Sequence, residues 1–444
     1  MFGLKKRKKN DEDLAPHEMG PPVELSARGA DEDTNQQNLL KARQDMGIVS
    51  AKQLIADMIA HNASRVMLDY TAQSVEVRYD VDGVWHPQTA SERQEADPML
   101  AVTKLISNLN VGDRRSKQQG QFGAVYKNVK YVCKLITAGT EKGERVVLEL
   151  YNSKNEINRP PQLGMREAMI DRFKELVAAD SGLFVISAPA NHGGLTTTWI
   201  SALGGTDRYM RDFVALYDTQ QVEPEVENVD QITYDLAAGE TPDQLLKKLM
   251  LKQPEVLAVP EIPNSATLNA LLDLIVEDEI CVFTSVRAKD AAEGLLRLMQ
   301  LKPDREKFAE VVSFVLNTRL VRRLCRACKQ GFQPPQQLLQ KLGIPAGRVS
   351  VFYRQWQPED SETKKGQDVD VCEKCAGMGY NGLIAICELL VVDDPIRQAL
   401  LHQPQVDAIR KLARRAGHAT LQEEGILLLT QGITSINELQ RALK

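Results

Sequence analysis

The sequence predicts an α/β fold, and three observations carry that expectation. From Phe184 to Gly204 it reads FVISAPANHGGLTTTWISALGG: a β-branched apolar run, a glycine-containing turn, then a threonine run that opens a helix. Strand and helix patterns alternate from there to about residue 320, as in an open sheet with crossover helices. Two C-x-x-C pairs follow, and the chain closes on helical stretches. Its 444 residues suffice for two or three domains, each with its own core.

Composition narrows the class. Hydrophobic residues make up 43% and charged residues 26%, ordinary values for a globular chain. A net charge of −5 argues against a nucleic-acid footprint, which is usually basic, so no nucleic-acid partner is expected. No apolar run approaches the ~20 residues of a membrane span. The start, MFGLKKRKKN, has no apolar stretch after its basic residues and so does not read as a secretory signal. The basic run Lys5 to Lys9 reads first as a solvated tail and second as a contact with anionic lipid, at about 1 kcal/mol per residue. The expected location is the cytoplasm.

Taken in order, residues 1–47 are charged, polar and punctuated by proline and glycine, and are expected to be disordered. Residues 48–157 read as a mixed α/β domain. SAKQLIADMIAHNAS has helical spacing, and SVEVRYDVDGVWH alternates like a strand and turns at Asp82-Gly83. LAVTKLISNLNV is helical, and FGAVYKNVKYVCKLITA with GERVVLELY supplies three more strands. NRPPQLG makes residues 158–165 a linker. Residues 166–444 then form the larger α/β domain. REAMIDRFKELVAAD is an amphipathic helix, FVALYD, EVLAVPEI and EICVFTSVRA are strands, and TPDQLLKKLMLK, SATLNALLDLIVED and AAEGLLRLMQL are helices. REKFAEVVSFVLNTRLVRRL is expected to be helical throughout. Residues 320–394 hold the cysteine pairs, and 395–444 form a helical C-terminal region.

CRAC (Cys325, Cys328) and CEKC (Cys372, Cys375) are two knuckles, each able to present two thiolates to one tetrahedral ion. A single C-x-x-C could be a redox pair; two together point to zinc. Glycines after the second knuckle, in CAGMGYNG, permit tight turns in which backbone amides approach sulfur. With all four positions filled by protein no open position remains, so the expected zinc is structural. Cys133, Cys281 and Cys387 lie in apolar strand-like runs and read as buried small hydrophobes.

Several motifs in a fixed order resemble the ATPases of type II secretion and type IV pilus assembly. YDVDGVWH (Tyr79 to His86) is similar to that family's R-x-D-G-V segment, and GERVVLELY (from Gly143) to its G-E-R-V-V-L-R-L. RLVRRLCRACK, GYNGLIAICELLVVDDPIRQ and GHATLQEEGILLLTQGITSINEL are similar to its arginine-leucine, tetracysteine and terminal motifs. The resemblance runs from about residue 50 to the end. It implies a RecA-like P-loop NTPase domain behind a small mixed domain, ATP and Mg²⁺ as ligands, six-membered rings, and work at the inner membrane. A peripheral position there is therefore the variant of the cytoplasmic expectation.

The ATP chemistry departs from that pattern. The family's phosphate loop reads G-P-T-G-S-G-K-S/T-T-T; here those positions are Ala188, Pro189, Ala190, Asn191, His192, Gly193, Gly194, Leu195, Thr196 and Thr197. The phosphate-clamping lysine has become Gly194 and the Mg²⁺-binding hydroxyl Leu195. The acidic segment keeps Asp218 alone, and the metal-and-water segment keeps Glu261 between Pro260 and Pro263. The histidine segment reads TSVRA, without histidine. Arg78 and Arg145 match arginines that the family turns toward nucleotide or a neighbouring subunit; a structural ion pair is the equally good alternative. Asn191, Gly193 and Gly194 still permit a tight loop, and a helix starting near Thr196 still offers N–H groups to an anion. Phosphoryl transfer needs cation clamps and a held metal, so hydrolysis is not expected and nucleotide binding is weak at most. Returning lysine and serine to positions 194 and 195 is expected to improve it if the loop still curls correctly, without by itself restoring turnover. The residues thus imply a degenerate member with a structural or regulatory role, partnered by an active paralogue or by the membrane platform. The alternative is a working ATPase with an unorthodox loop.

Overall fold

The computed structural model describes residues 15–152, 157, 159–190, 193–219, 226–345, 347–356, 372–375 and 377–444. Two compact units divide between Glu156 and Ile157. The first contains β1 (Val23–Ala27), α1 (Glu32–Gln44), α2 (Gly47–Ala60), β2 (Ala63–Tyr70), β3 (Ser74–Val81), β4 (Val84–Pro87), β5 (Ser91–Glu92), α3 (Arg93–Ile106), β6 (Gln118–Tyr126), β7 (Val129–Thr140) and β8 (Gly143–Asn152). Its sheet runs β1-β6-β7-β8-β2-β3-β4, with β5 also on β3, and every pair is antiparallel. The Asp82-Gly83 turn has φ of 52° and 80°, and the Lys127-Asn128 turn 49° and 62°. Both suit two-residue hairpins, whose central residues need positive φ. Helix α2 buries Ile48, Ala51, Ile55 and Met58, one stripe at helical spacing.

Residues 15–47, expected to be disordered, instead join this unit. β1 pairs with β6 from Val23↔Tyr126 to Ala27↔Phe122, burying Val23 and Leu25. Asp31 caps α1 by accepting from Thr34 N at 2.9 Å. The helix buries only Ala42, so its sequence carries no apolar period to read. Residues 1–14, with the basic run Lys5 to Lys9, lie outside the described residues.

The second unit contains α4 (Pro160–Leu163), α5 (Glu167–Val177), β9 (Gly182–Ala188), α6 (Leu195–Gly204), β10 (Phe213–Asp218), β11 (Asp230–Tyr234), α7 (Pro242–Leu249), β12 (Val256–Pro260), α8 (Ser265–Glu277), β13 (Cys281–Arg287), α9 (Ala291–Met299) and α10 (Arg305–Val311). There follow β14 (Val312–Leu324), β15 (Gln330–Phe332), α11 (Gln336–Lys341), β16 (Phe352–Arg354), β17 (Tyr380–Val391), α12 (Asp394–His402), α13 (Val406–Arg415), α14 (Leu421–Thr430) and α15 (Ile436–Leu443). Its main sheet runs β11-β10-β12-β13-β9-β14-β17, parallel except for the β14–β17 pair. The chain leaves β9 to one side for β10, β12 and β13 and returns on the other for β14. That reversal places the β9–α6 loop at the topological switch point, where open α/β sheets bind ligands. Phe184 stacks on Phe314 with centroids 5.1 Å apart and meets Phe283 edge-on at 5.0 Å, with Trp199 of α6 in the same core.

β14 corrects an expectation. Only Arg305–Val311 of that stretch is helical; Val312–Leu324 is a strand between β9 and β17. Apolar residues are buried on both of its faces, so the alternation that marks a strand is lost.

On β17, Glu388 accepts a hydrogen bond from Ala291 N at 3.0 Å, at the start of α9. Its carboxyl is pushed up to about 7, first by burial and further by Asp290, against the pull of Ala291 N–H, Arg410 and Arg319. A carboxyl raised on folding favours the native state below its unfolded value and loses that contribution as pH rises through the folded one. Stability is therefore expected to fall between pH 4.5 and about 7. Glu388→Gln should remove roughly 1–3 kcal/mol of that dependence, read as the difference between wild-type and variant denaturation midpoints across the range. Parallel curves for the two proteins would refute the shift.

Candidate phosphate loop and tetracysteine centre

The β9–α6 loop is shaped by two glycines for different reasons. A Cβ on Gly193 would lie 2.4 Å from Pro189 O, so only glycine fits where the loop folds back on its own start. Gly194 caps α6 at φ +71°, and a Cβ there would lie 3.1 Å from the Leu320 side chain of β14. Thr198 Oγ1 donates to Gly194 O at 2.9 Å and lies 2.8 Å from Thr318 Oγ1, which is 3.3 Å from Gly193 O. Pro189 and Ala190 lead into this turn, and Thr196 and Thr197 occupy the first turn of α6, both half-buried. Asn191 and His192 lie outside the described residues.

Leu195 is 6% exposed and packs in the α6-side core with Phe184, Ile186 and Trp199. At the position where this loop type offers Mg²⁺ a hydroxyl, the side chain has no oxygen and points into hydrocarbon. A divalent ion does not fit there. For the Gly194→Lys, Leu195→Ser pair the packing sets a cost. A lysine at 194 would have to adopt a left-handed backbone under Leu320, and a serine at 195 would empty a core position.

Asp218 ends β10 and Glu261 follows β12, so both stand at the carboxyl edge of the sheet with the loop. Glu261 has φ 55°, uncommon outside glycine, and its Oε1 lies 3.1 Å from Arg287 Nε at the end of β13. The buried phenol of Tyr234 is raised by burial first, then by the charges of Asp218 and Glu261. Sequence reasoning missed Arg287. The partnership depends on register across β12 and β13, for which the linear order gives no signal.

Arg78 and Arg145, in the first unit, converge on Asp69 of β2. Arg78 donates to its Oδ2, and Arg145 Nε approaches Oδ1 at 2.5 Å. Burial alone would raise the Asp69 carboxyl, yet hydrogen bonds and charge from Arg145 and Arg78 hold it below the usual range.

The four predicted metal ligands come together. Cys325, Cys328, Cys372 and Cys375 place their sulfurs all within 4.8 Å of one another, with Cys325–Cys372 at 3.9 Å and Cys328–Cys375 at 3.6 Å. A tetrahedral ion with Zn–S near ~2.3 Å needs sulfur–sulfur edges of about 3.8 Å, so the group fits zinc. Gly379 N donates to Cys375 Sγ at 3.3 Å, and Cys325 N donates to Gly379 O at 2.9 Å. The centre also grips the C-terminal helices. Leu324 N donates to Ile433 O at 2.8 Å, Lys329 Nζ to Gly432 O at 2.7 Å, and Thr434 Oγ1 to Arg322 O at 2.9 Å. Arg322 and Arg441 both bind the buried Glu438 of α15, with Arg322 Nη2 at 2.7 Å.

A glycine loop at the switch point of a parallel sheet, with acidic residues closing neighbouring strands, defines an ATPase-type α/β domain. The chain belongs to the type II/IV secretion system protein family, whose model matches residues 42–441. It is 28% identical over 389 residues to the type IV pilus assembly ATPase PilB of Thermus thermophilus, covering 87% of this chain and 42% of that protein. It is 25% identical over 415 residues to the type II secretion system protein E of Klebsiella pneumoniae, covering 93% and 79%. The chain thus spans less than half the length of the first relative and about four-fifths of the second. Among solved structures, the Legionella pneumophila ATPase DotB matches with a TM-score of 0.56 at 15% identity, over 88% of this chain and 94% of that one. The pilus retraction motor PilT, solved with bound ADP, matches with a TM-score of 0.51 at 14% identity, over 88% and 95%. No helix among the described residues is long and apolar enough to cross a membrane.

Two outcomes are expected. Metal analysis should find about one zinc per chain. Cys325→Ser or chelation should lower thermal stability and speed amide exchange around residues 431–438; unchanged stability of metal-free protein would contradict the assignment. Gly194→Lys should destabilise by about 1–2 kcal/mol through its left-handed backbone, and Leu195→Ser by a further ~2–5 kcal/mol through the core, in denaturant titrations. Unimpaired stability with newly tight nucleotide binding would mean that the loop rearranges freely.

Proposed function

We propose that this chain is a non-hydrolytic member of the family, serving as a structural or regulatory component of a trans-envelope secretion or pilus machine. The observation that carries the reading is the β9–α6 loop. Gly194 is capped by Leu320, Leu195 is buried where a metal-binding hydroxyl belongs, and no lysine stands at either position. Phosphoryl transfer depends on cations held against the phosphates, and losing a single charge-assisted contact costs about 1.5–3 kcal/mol. The retained α6 amino end leaves room for weak phosphate contact without turnover. What the chain keeps is its scaffold: both units, the C-terminal helices and the zinc-fitting cysteines, which support a role through surfaces. Its partners in this reading are an active family ATPase, in a shared ring of six, or the inner-membrane platform. It would work in the cytoplasm, at the membrane face.

Purified full-length protein should show no Mg²⁺-dependent ATP hydrolysis above background, and cross-linking in native cells with a tag after Lys444 should recover an active relative or the membrane platform. Turnover near about 1 s⁻¹ that vanishes in Glu261→Gln would establish the alternative, a working ATPase with an unorthodox loop. Recovery of only proteins unrelated to secretion or pili would remove the partner role.

A further inference from the structure

We infer that Arg287 is a built-in counter-cation: its guanidinium neutralises Glu261 and excludes a divalent ion from the carboxyl edge of the sheet. The register fixes the geometry. Arg287 pairs with Ala188, the last residue before the loop, and Pro260, just before Glu261, pairs with Ser285. Cys281 and Phe283 belong to the core on the α6 side, so strand alternation puts Arg287 on that same face. There its Nε meets Glu261 Oε1 at 3.1 Å.

Stability does not account for this pair. Arg287 is 47% and Glu261 33% exposed, a setting in which ion pairs contribute little. Glu261 also holds a left-handed backbone at φ 55°, a conformation that costs energy and that clusters at functional positions. An ion approaching Glu261 would meet a carboxylate already neutralised and a fixed positive charge beside it. Leu195, buried across the loop, offers no second oxygen. The metal position has therefore been refilled with a permanent cation from the protein, in addition to losing its ligand at 195.

The test uses full-length, zinc-loaded protein and Mn²⁺ alone, followed by electron paramagnetic resonance. Wild type should bind no Mn²⁺ that depends on Glu261, meaning that wild type and Glu261→Gln give the same titration. Arg287→Gln should gain Glu261-dependent Mn²⁺ binding, weak for want of a second oxygen at 195 yet at least about tenfold tighter than any such binding by wild type, the scale of one displaced charge contact. That gain should vanish in Arg287→Gln/Glu261→Gln and stay absent in Arg287→Lys, which keeps the charge. Circular dichroism of each variant guards against misfolding. Glu261-dependent Mn²⁺ binding by wild type, or a folded Arg287→Gln that gains none, overturns the assignment. Arg287's role rests on the non-hydrolytic reading, and the two fail separately. ATP turnover by wild type would remove that reading, whereas a silent Arg287→Gln removes only the counter-cation.

Discussion

Strand β14 is the constraint on which the second unit depends. Phe314 and Leu316 fill the core against β9 and α6, Thr318 reaches the carbonyl of Gly193, and Leu320 closes over Gly194. Between them, Arg319 donates to Lys289 O at 3.1 Å and also to Ala442 O near the C-terminus. Further along, Arg322 binds Glu438, Leu324 binds the Ile433 carbonyl, and Cys325 begins the tetracysteine cluster. One extended segment thus holds the loop, the terminal helices and the cysteine centre in fixed register. A shift of one residue would turn every side chain to the opposite face, so all three features are specified together.

The same strand marks where the sequence could be read and where it could not. Two-residue turns, C-x-x-C pairs and amphipathic helices announce themselves through local chemistry, and Asp82-Gly83, the four cysteines and α5 were legible on those grounds. β14 was not, because burial on both faces leaves an apolar run without a period. α1 and β1 failed for the opposite reason. A helix that buries only Ala42 and an edge strand whose partner lies about 100 residues onward carry almost no local signal. The four clustered cysteines could be named from spacing alone, since two knuckles predict one centre. The grip of the neighbouring residues on 432–438 could not, because Lys329, Arg322 and Leu324 meet Gly432, Thr434, Glu438 and Ile433 across about 100 residues of chain, a pairing with no local signal.

In the candidate loop, identities were legible but consequences were not. Gly194 and Leu195 could be seen as departures from a lysine and a hydroxyl. That Gly194 is left-handed beneath Leu320, and Leu195 part of a hydrocarbon core, follows only from the packing. This changes what the departures mean. A lysine or a hydroxyl could be added to an open loop at little cost, whereas here the packing around Gly194 and Leu195 makes either one costly.

Charge bookkeeping at the predicted nucleotide residues leads the same way. Hydrolysis of this kind needs mobile or held cations free to meet phosphate. Among the arginines singled out from sequence or structure, Arg78 and Arg145 are engaged by Asp69, and Arg287 by Glu261. A phosphate ligand would have to compete with a carboxylate for each of them, and each exchange sets the new anion beside a carboxylate. The attraction of these guanidiniums for phosphate is screened as salt rises, so weak anion contact would be most visible at low ionic strength. Retained packing and engaged charge together support the non-hydrolytic reading proposed above: the core holds the shape of the domain, and the β9–α6 loop sits in a packed corner beside Leu320.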